Sequence, residues 1–285
     1  MDLPFIYELM AIAKKQEDQG LAYPCWDLKG NFEQIDKAVQ DHLFIVENDH
    51  NRIGTVGIYD APWGKYLVGP AVVLEFHEVA LVKDVVAKMF DQFPEAMARI
   101  KVDVKSSNLV LANALVELGF CPNYAGVSMY YDLEDHFPCA VLAEVEDIYA
   151  DDDEYLEQIN AIFAANLLPW AGNDVGELRE NIETGSFISA LLEDGKVAGA
   201  IVWQWDDDSA IGEIEYICVG SQYQGKGCGG MLVDYVKNIM SASICDGDEN
   251  RIYLDVDQTN TEARRFYESQ GFVAQYLREV YRLGD

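Results

Sequence analysis

Hydrophobic and polar positions alternate in some stretches of the chain and recur at helical spacing in others, which predicts a mixed α/β protein. In the first half, the pattern predicts strands over 42–47, 52–59, 65–74, 99–104 and 127–133, and helices over 5–18, 31–40, 79–93 and 109–118. A polar segment with a proline, 134–139, separates this half from the second. There the pattern predicts helices over 154–166 and 175–183, strands over 187–192, 197–205, 213–219 and 252–256, and a last strand around Val280 and Tyr281.

The two halves also share an internal repeat. Residues 99–108, RIKVDVKSSN, precede residues 251–260, RIYLDVDQTN, by 152 positions, and Gly119-Phe120 matches Gly271-Phe272 at the same offset. Solenoid repeats are only about 20–50 residues long, so a repeat of about 150 residues indicates two copies of one domain. We therefore predict two domains, over 1–135 and 140–285.

A glycine-rich segment follows the predicted strand that ends at Val219. Four glycines lie within six positions (Gly225, Gly227, Gly229 and Gly230), and the apolar residues after them have helical spacing. Glycines let backbone N–H groups approach a phosphate closely, and the dipole of the following helix adds partial positive charge. The segment therefore predicts a phosphate or pyrophosphate site.

Three motifs compete for this segment. Gly220-x4-Gly225-Lys226 begins like a P-loop, but Gly227 occupies the position of the Ser or Thr that would hold magnesium. Gly225-x-Gly227-x-x-Gly230 matches the dinucleotide fingerprint, but only 55 residues follow, too few for the βαβ units of a Rossmann half. The third reading, Gln224-x-x-Gly227-x-Gly229 after an apolar strand, resembles the acyl-CoA loop of the GNAT superfamily of N-acyltransferases.

A second motif extends this resemblance. Asn260-x-x-Ala263-x-x-Phe266-Tyr267-x-x-x-Gly271-Phe272 is similar to the family's second signature, at the usual separation from the loop. The resemblance implies an α/β (α+β) fold of two GNAT-like domains, each a mixed, mostly antiparallel twisted sheet flanked by helices. It is strong over 185–285 and weak over 1–135. In the first copy, the segment VVLEFHEV at 72–79 holds no glycine, so we expect that copy to have lost its cofactor site.

The resemblance also implies a reaction, the transfer of an acetyl group from acetyl-CoA to a primary amine by direct attack in a ternary complex. The alternative is a module that binds acyl-CoA and performs no chemistry. The residues expected to hold coenzyme A are Ile217, Cys218 and Val219 through their backbone, the loop Gln224, Gly225, Lys226, Gly227, Cys228, Gly229 and Gly230, and Asn260 of the second motif.

Tyr267 is the expected general acid, because a phenol with a pKa of about 10 is protonated at neutral pH and can reprotonate the leaving thiolate. The alternative is that it only fills the core after Phe266. For the base we place Glu215 first and Asp255 second, and a water chain remains open. Asp255 has a counterpart in the first copy, Asp103, which favours a structural role. All four histidines precede the second copy.

The chain is strongly acidic, with a net charge of −30, and the part from Val141 onward holds 29 acidic and 9 basic residues. Such a field repels nucleic acid and anionic membranes and attracts cations. It is consistent with a cationic amine acceptor, small or peptide, and equally with solubility or a salty cytoplasm. We expect acceptor contacts from 167–174 and 203–208. The acidic runs 151–154 and 206–208 lack mixed ligand types, so no metal is expected.

The first residues lack the long apolar core of a secretory signal, and the longest apolar runs are too short to span a bilayer. The six cysteines show no C-x-x-C pairing, which is consistent with buried thiols in a reducing compartment. These features predict a cytoplasmic protein, whereas the oligomeric state stays open.

Overall fold

The computed structural model describes residues 5, 6, 8, 9, 43–48, 51–61, 64–73, 75, 77–94, 100–136, 145–167, 174–206, 210–244 and 250–283. The strands are β1 (Leu43–Asn48), β2 (Asn51–Ala61), β3 (Gly64–Val72), β4 (Ile100–Lys105), β5 (Phe120–Asp132), β6 (Val145–Ile148), β7 (Phe187–Glu193), β8 (Lys196–Asp206), β9 (Ile211–Val219), β10 (Arg251–Asp257) and β11 (Val273–Leu283). The helices are α1 (Val79–Gln92), α2 (Leu109–Glu117), α3 (Asp153–Asn166), α4 (Val175–Glu183), α5 (Cys228–Ser241) and α6 (Thr261–Ser269). No helix within these residues is long and apolar enough to cross a lipid bilayer. The predicted helix over 31–40, and most of that over 5–18, lie outside the described residues.

The chain divides into two compact units, and each is built from more than one segment. The first unit takes Met1–Val127, Asp257–Thr259 and Tyr276–Asp285, and the second takes Ser128–Val256 and Asn260–Gln275. The ends of β5 and β11 therefore belong to a different unit from their beginnings. The predicted domains 1–135 and 140–285 follow the repeat in the sequence, and they stay a prediction.

The first unit contains a sheet in the order β1-β2-β3-β4-β11-β5. β1, β2 and β3 pair antiparallel, β3 and β4 pair parallel, and β11 pairs antiparallel with β4. The apolar faces of α1 and α2 pack on this sheet and share one core with it, which includes Val86, Leu111, Leu115 and Phe120. Asp103 of β4 is buried, and its carboxylate lies 3.4 Å from the Arg278 guanidinium.

The second unit contains a sheet in the order β5-β10-β9-β8-β7-β6. The neighbouring strands from β6 to β9 pair antiparallel, and β10 pairs parallel with β9. On one face, α3 and α4 cover a core that includes Phe163, Leu178 and Val202. On the other face, α5 buries Leu232, Val236 and Met240. The fold prediction, a mixed and mostly antiparallel twisted sheet flanked by helices, is confirmed.

The order of the elements follows the repeat. The series β1, β2, β3, α1, β4, α2 and β5 recurs as β7, β8, β9, α5, β10, α6 and β11. The repeated asparagines have one local role in both copies, because each caps a helix. Asn108 Oδ1 accepts from the Leu111 N–H at 3.1 Å, and Asn260 Oδ1 accepts from the Ala263 N–H at 3.0 Å. The residues that the two repeats share therefore form a strand, a turn and a helix N-cap in each copy.

Two elements differ from the sequence prediction. β5 begins at Phe120, seven residues before the predicted start at Val127. Its first part contains Pro122, Asn123 and Gly126, which are poor strand formers, so the sheet position overrides local propensity there. The strand β6 has only four residues and was not predicted.

The end of β5 makes stabilising contacts within the second unit. The Tyr131 ring lies 5.5 Å from the Phe272 ring and 3.8 Å from Lys237 Nζ, and its hydroxyl lies 3.3 Å from His136 Nδ1. We predict that Tyr131→Ala lowers the free energy of unfolding by about 3 kcal/mol, the usual cost of truncating a packed aromatic residue. Tyr149→Ala is the control, since Tyr149 is 63% exposed, and should cost less than about 0.5 kcal/mol. Urea denaturation of the full chain measures both, and equal losses would contradict the prediction.

Candidate active site

The glycine loop joins the end of β9 to the start of α5. After a 3₁₀ turn over Ser221–Tyr223, the backbone is left-handed at Gly225, with φ of 72°, and at Gly227, with φ of 86°. Residues with a side chain rarely adopt this conformation, so glycine is required at both positions. A Cβ atom added at either position would meet no heavy atom within 4 Å, so the loop borders open space.

The N-terminus of α5 faces this space without a side-chain cap. Gly227 is the N-cap residue, and among the described residues no side chain caps the helix; its first turn also contains no acidic residue. Met231 donates the first helical hydrogen bond to the Gly227 carbonyl at 3.1 Å, so the N–H groups of residues 228–230 precede the ladder. These groups and the helix dipole make a position that suits an anion.

The other two glycines of the loop serve packing. A Cβ atom at Gly229 would lie 3.2 Å from the Phe266 ring, and one at Gly230 would lie 3.4 Å from the Gln270 amide. Because neither glycine carries a Cβ atom, α5 can lie close to α6 and to Gln270, the residue that follows α6. The glycine motif and the second motif are therefore in direct contact, and Tyr267 lies on the helix that touches the loop.

The remaining residues of the predicted cofactor set line the strand end and the loop. Gln224 Nε2 donates to the Val219 carbonyl at 3.1 Å, which ties the loop to β9. Lys226 is exposed, and its Nζ lies 5.2 Å from the centre of the Tyr223 ring. Cys228 is buried in the first turn of α5, while Ile217 is half-buried in β9. The predicted role of Asn260 in cofactor binding stays a prediction, and its side-chain oxygen caps α6.

Two irregularities shape β9 beside the loop. The β8–β9 register runs from Val202 opposite Tyr216 to Trp203 opposite Ile214, so Glu215 is an extra residue in a β-bulge. On the other side of β9, the parallel ladder with β10 ends at Ile214 and Leu254, although both fully described strands continue. Beyond the bulge, Ile217, Cys218 and Val219 pair with β8 after the last rung of the β9–β10 ladder, so an extended ligand can pair with these residues on the side away from β8.

Glu215 lies at the bulge and is held by two side chains that sequence reasoning missed. Its Oε1 accepts a hydrogen bond from Ser186 Oγ at 3.2 Å and a short one from Gln204 Nε2. Burial raises the pKa of Glu215, and the hydrogen bonds from Ser186 and Gln204 oppose that rise. A polar Gln204 within the apolar stretch VAGAIVWQW is a signal in the sequence, whereas Ser186 carries none.

The second base candidate lies on the neighbouring strand. Asp255 is exposed and follows the last paired residue of β10. Tyr253 pairs with Glu213 across β9 and β10, and alternation along each strand places Asp255 on the same face as Glu213. Asp103, its counterpart in the first copy, is buried, so the two aspartates have different surroundings.

Tyr267 is buried in the second unit between two aromatic rings. Its ring centre lies 5.2 Å from that of Phe266 and 5.8 Å from that of Phe272, in an edge-to-face arrangement. Burial raises the pKa of Tyr267 well above its usual value, so the phenol is protonated at neutral pH. This protonation state suits a proton donor, and the assignment as general acid stays a prediction.

The expected acceptor contacts are only partly described. Residues 168–173, with Trp170, and residues 207–209 lie outside the described residues. Trp203 is buried, stacks on Phe187 with ring centres 4.5 Å apart, and donates from Nε1 to Ser189 Oγ at 3.1 Å. Trp203 is therefore a core residue of the second unit.

With this geometry, comparison with known proteins identifies the class. Residues 142–272 match the acetyltransferase (GNAT) family, while no curated protein sequence is detectably similar to the chain. Similar solved structures include a GCN5-related N-acetyltransferase from Sphaerobacter thermophilus (TM-score 0.57, 16% identity, covering 84% of this chain and 79% of that one). Another is a tandem GNAT protein of the clavulanic acid pathway (TM-score 0.57, 13% identity, 84% of this chain). A GNAT-family acetyltransferase from Colwellia psychrerythraea covers 97% of this chain and 96% of its own (TM-score 0.55, 14% identity).

Because these structures share only 13–16% sequence identity with the chain, their similarity shows the fold alone. Residues 142–272 match the model of a GNAT-family acetyltransferase domain. Over 84% of its length, the chain has a fold similar to that of a tandem GNAT protein.

The burial of Cys218, one of the predicted cofactor-binding residues, can be tested directly by its reactivity. Cys218 is buried, its thiol lies 3.9 Å from the Ile162 carbonyl, and burial raises its pKa to about 11. Because the thiolate is the reactive form, we predict that iodoacetamide at pH 8 alkylates Cys218 at least about 100-fold more slowly than the exposed Cys121. Peptide mapping by mass spectrometry measures both rates in one sample. Similar rates would contradict the assigned environment of Cys218.

Proposed function

We propose that the protein is an acetyl-CoA-dependent N-acetyltransferase that transfers an acetyl group to a primary amine by direct attack in a ternary complex. One observation carries the proposal. The N-terminus of α5, which no described side chain caps, borders open space beside the end of β9, beyond the last rung of its ladder with β10. A helix N-terminus that suits a phosphate, next to the strand residues Ile217, Cys218 and Val219, suits a ligand with a diphosphate and an extended amide-bearing arm.

The residues fit such a ligand by chemistry and by space. The N–H groups of 228–230 and the loop from Gln224 to Gly230 would hold the diphosphate, with Lys226 adding positive charge at the exposed side. The backbone of Ile217, Cys218 and Val219 would pair with the arm. When bound, acetyl-CoA supplies the activated acetyl group. A preorganised N–H near Val219 would stabilise negative charge on the carbonyl oxygen, an effect of about 3–4 kcal/mol in comparable sites.

Two side chains would move the protons. An ammonium acceptor must lose a proton before it can attack, and Glu215 would accept it, because burial raises the pKa of Glu215 and so makes its carboxylate a stronger base than an exposed one. Tyr267 would donate its phenolic proton to the departing sulfur. Asp255 is the second candidate for the base, because it lies exposed beyond the last paired residue of β10.

The charge around Tyr216 favours a cationic acceptor, small or peptide. The Tyr216 ring lies 6.4 Å from Phe163, and the pKa of its phenol is raised first by burial and then by the carboxylates of Glu215, Glu177 and Glu213. This local negative field and the net charge of −30 attract an ammonium group.

The first copy would have lost cofactor binding. The helix α1, which corresponds to α5, begins after Glu78, a carboxylate where α5 has Gly227. A negative side chain at that position repels a phosphate. At the place of Tyr267, the first copy has Leu115, which is fully buried and carries no proton to donate.

Isothermal titration with acetyl-CoA tests the cradle, with two matched glycines. Gly227 and Gly195 both have left-handed backbones, with φ of 86° and 72°, and open space at the Cβ position. Gly227→Glu places a carboxylate at the diphosphate and should weaken binding by at least about 100-fold, because close like charges cost several kcal/mol. Gly195→Glu introduces the same strain and charge in the β7–β8 turn, and its affinity should stay within twofold of the original. Equal affinities of the two variants would contradict the cradle.

The acid role has a separate prediction. Tyr267→Phe removes only the hydroxyl and should lower kcat by about 100-fold or more, the usual contribution of a general acid, while the Kd for acetyl-CoA changes less than twofold. Thiol release with a panel of primary amines measures kcat, and Tyr149→Phe on the exposed surface is the control. Equal losses of kcat and cofactor affinity would assign Tyr267 to the core. Acetyl-CoA binding without thiol release for any amine would contradict the enzymatic function itself.

A further inference from the structure

Glu215 is held by one of its two carboxylate oxygens, and both contacts come from neutral side chains on neighbouring elements. We propose that Ser186 and Gln204 are positioning residues that hold Glu215 Oε1 and leave Oε2 to accept the proton of the acceptor amine. The proposal rests on the proposed function, in which Glu215 is the base.

The bulge creates the need for such an arrangement. Because Glu215 has no partner in the β8–β9 ladder, its backbone is not fixed by the regular pairing of its neighbours. Its carboxylate is instead anchored to the residue before β7 and to a residue of β8. Ser186 is 5% exposed, and its N–H donates to the Asn181 carbonyl at 2.8 Å, so the anchor itself is held by α4.

The polar hydrogen atoms of Ser186 and Gln204 are all used in holding Glu215 Oε1. Ser186 Oγ has one proton, which it donates to Glu215 Oε1, and it accepts a hydrogen bond from Gln204 Nε2 at 3.0 Å. Gln204 Nε2 has two protons, one for Ser186 Oγ and one for the same carboxylate oxygen. All three protons point toward Glu215 or toward the group that donates to it. The ring is therefore satisfied when Oε1 carries no proton.

The second oxygen has a different environment. Among the described residues, the hydrogen bonds of the Glu215 side chain are those to Oε1. A proton accepted by Glu215 thus goes to Oε2 without breaking the ring. Ser186 and Gln204 act on the base without touching the substrate.

The charges around Glu215 show what the two donors offset. Burial raises the pKa of Glu215, whereas the hydrogen bonds from Ser186 and Gln204 lower it. By strand alternation and their effect on Tyr216, the titratable and charged groups on this face include the carboxylates of Glu213, Asp206, Asp255 and Glu177, the phenols of Tyr216 and Tyr253, and the guanidinium of Arg251 at the start of β10. Without the two donors, the protonated form of Glu215 becomes more stable, and an acid already carrying its proton cannot accept another.

Removing a donor should therefore move the titration of Glu215 to higher pH. Gln204→Leu and Ser186→Ala should each raise the pKa of Glu215 by about one unit, since a hydrogen bond to a charged group is worth about that much. The acid limb of the pH profile of kcat/KM should move to higher pH by the same amount as the pKa of Glu215. Activity at high pH should stay within about threefold of the original. Ser186→Thr keeps a hydroxyl and should restore the original limb.

Two measurements separate the outcomes. Carbon-13 NMR of the glutamate carboxyls in the ligand-free protein reports the pKa of Glu215, with Glu215→Gln to assign the signal, and thiol release with a primary amine gives the pH profile. The matched control is Ser189→Ala, because Ser189 is also a buried serine that donates to a carboxylate, Asp147 Oδ1 at 2.7 Å. It should lower stability and leave both the NMR titration and the acid limb unchanged.

Each result decides one question. Absence of thiol release for the unchanged protein with every amine contradicts the proposed function, and the NMR titration still tests whether Ser186 and Gln204 hold the carboxylate. Activity with an unshifted limb and an unshifted NMR titration in Gln204→Leu and Ser186→Ala overturns the positioning role. If Ser186→Ala does not fold, Gln204→Leu carries the test, because Gln204 is only half-buried.

Discussion

A one-residue bulge in β9 is the constraint on which the candidate site depends. Before the bulge, Gly212 faces α5, where an added Cβ would strike Met240; after it, Tyr216 faces α3 and packs near Phe163. Two even-numbered residues of one strand therefore lie on opposite faces, which regular alternation forbids. Beyond Ile214 the parallel ladder with β10 ends, so the strand leaves its neighbour just before it enters the glycine loop.

The glycine loop meets two structural demands at once. Gly225 and Gly227 adopt left-handed backbones beside open space, and Gly229 lies too close to Phe266 for a side chain. The first demand exposes the N–H groups of α5 to an anion, and the second brings α6 and Tyr267 against the same helix. In the proposed function, the predicted diphosphate site and the predicted acid would therefore be connected through the packing of α5 against α6.

The two copies in the chain share local structure and differ in chemistry. Asn108 and Asn260 cap equivalent helices with nearly equal hydrogen bonds, so the repeat preserves the elements that build the sheet. The copies differ at the N-caps of the equivalent helices α1 and α5, where the first has Glu78 and the second has Gly227. Two strands are divided between the compact units, since residues 128–132 of β5 belong to the second unit and residues 276–283 of β11 to the first.

The sequence by itself determined most of the elements and the motif residues from Gln224 to Tyr267, because these depend on local periodicity and short spacings, and it also showed the repeat, because equivalent letters recur at one offset of 152 positions. It also predicted the glycine turn, since only glycine tolerates the required backbone. The early start of β5 and the bulge at Glu215 were decided by the tertiary structure, because strand pairing is set by neighbours distant in the chain. The same holds for Ser186 and Gln204, which lie 29 and 11 residues from Glu215 and meet it only when β7, β8 and β9 align. Hydrogen-bond partners of this kind leave no periodic pattern, so packing alone reveals them.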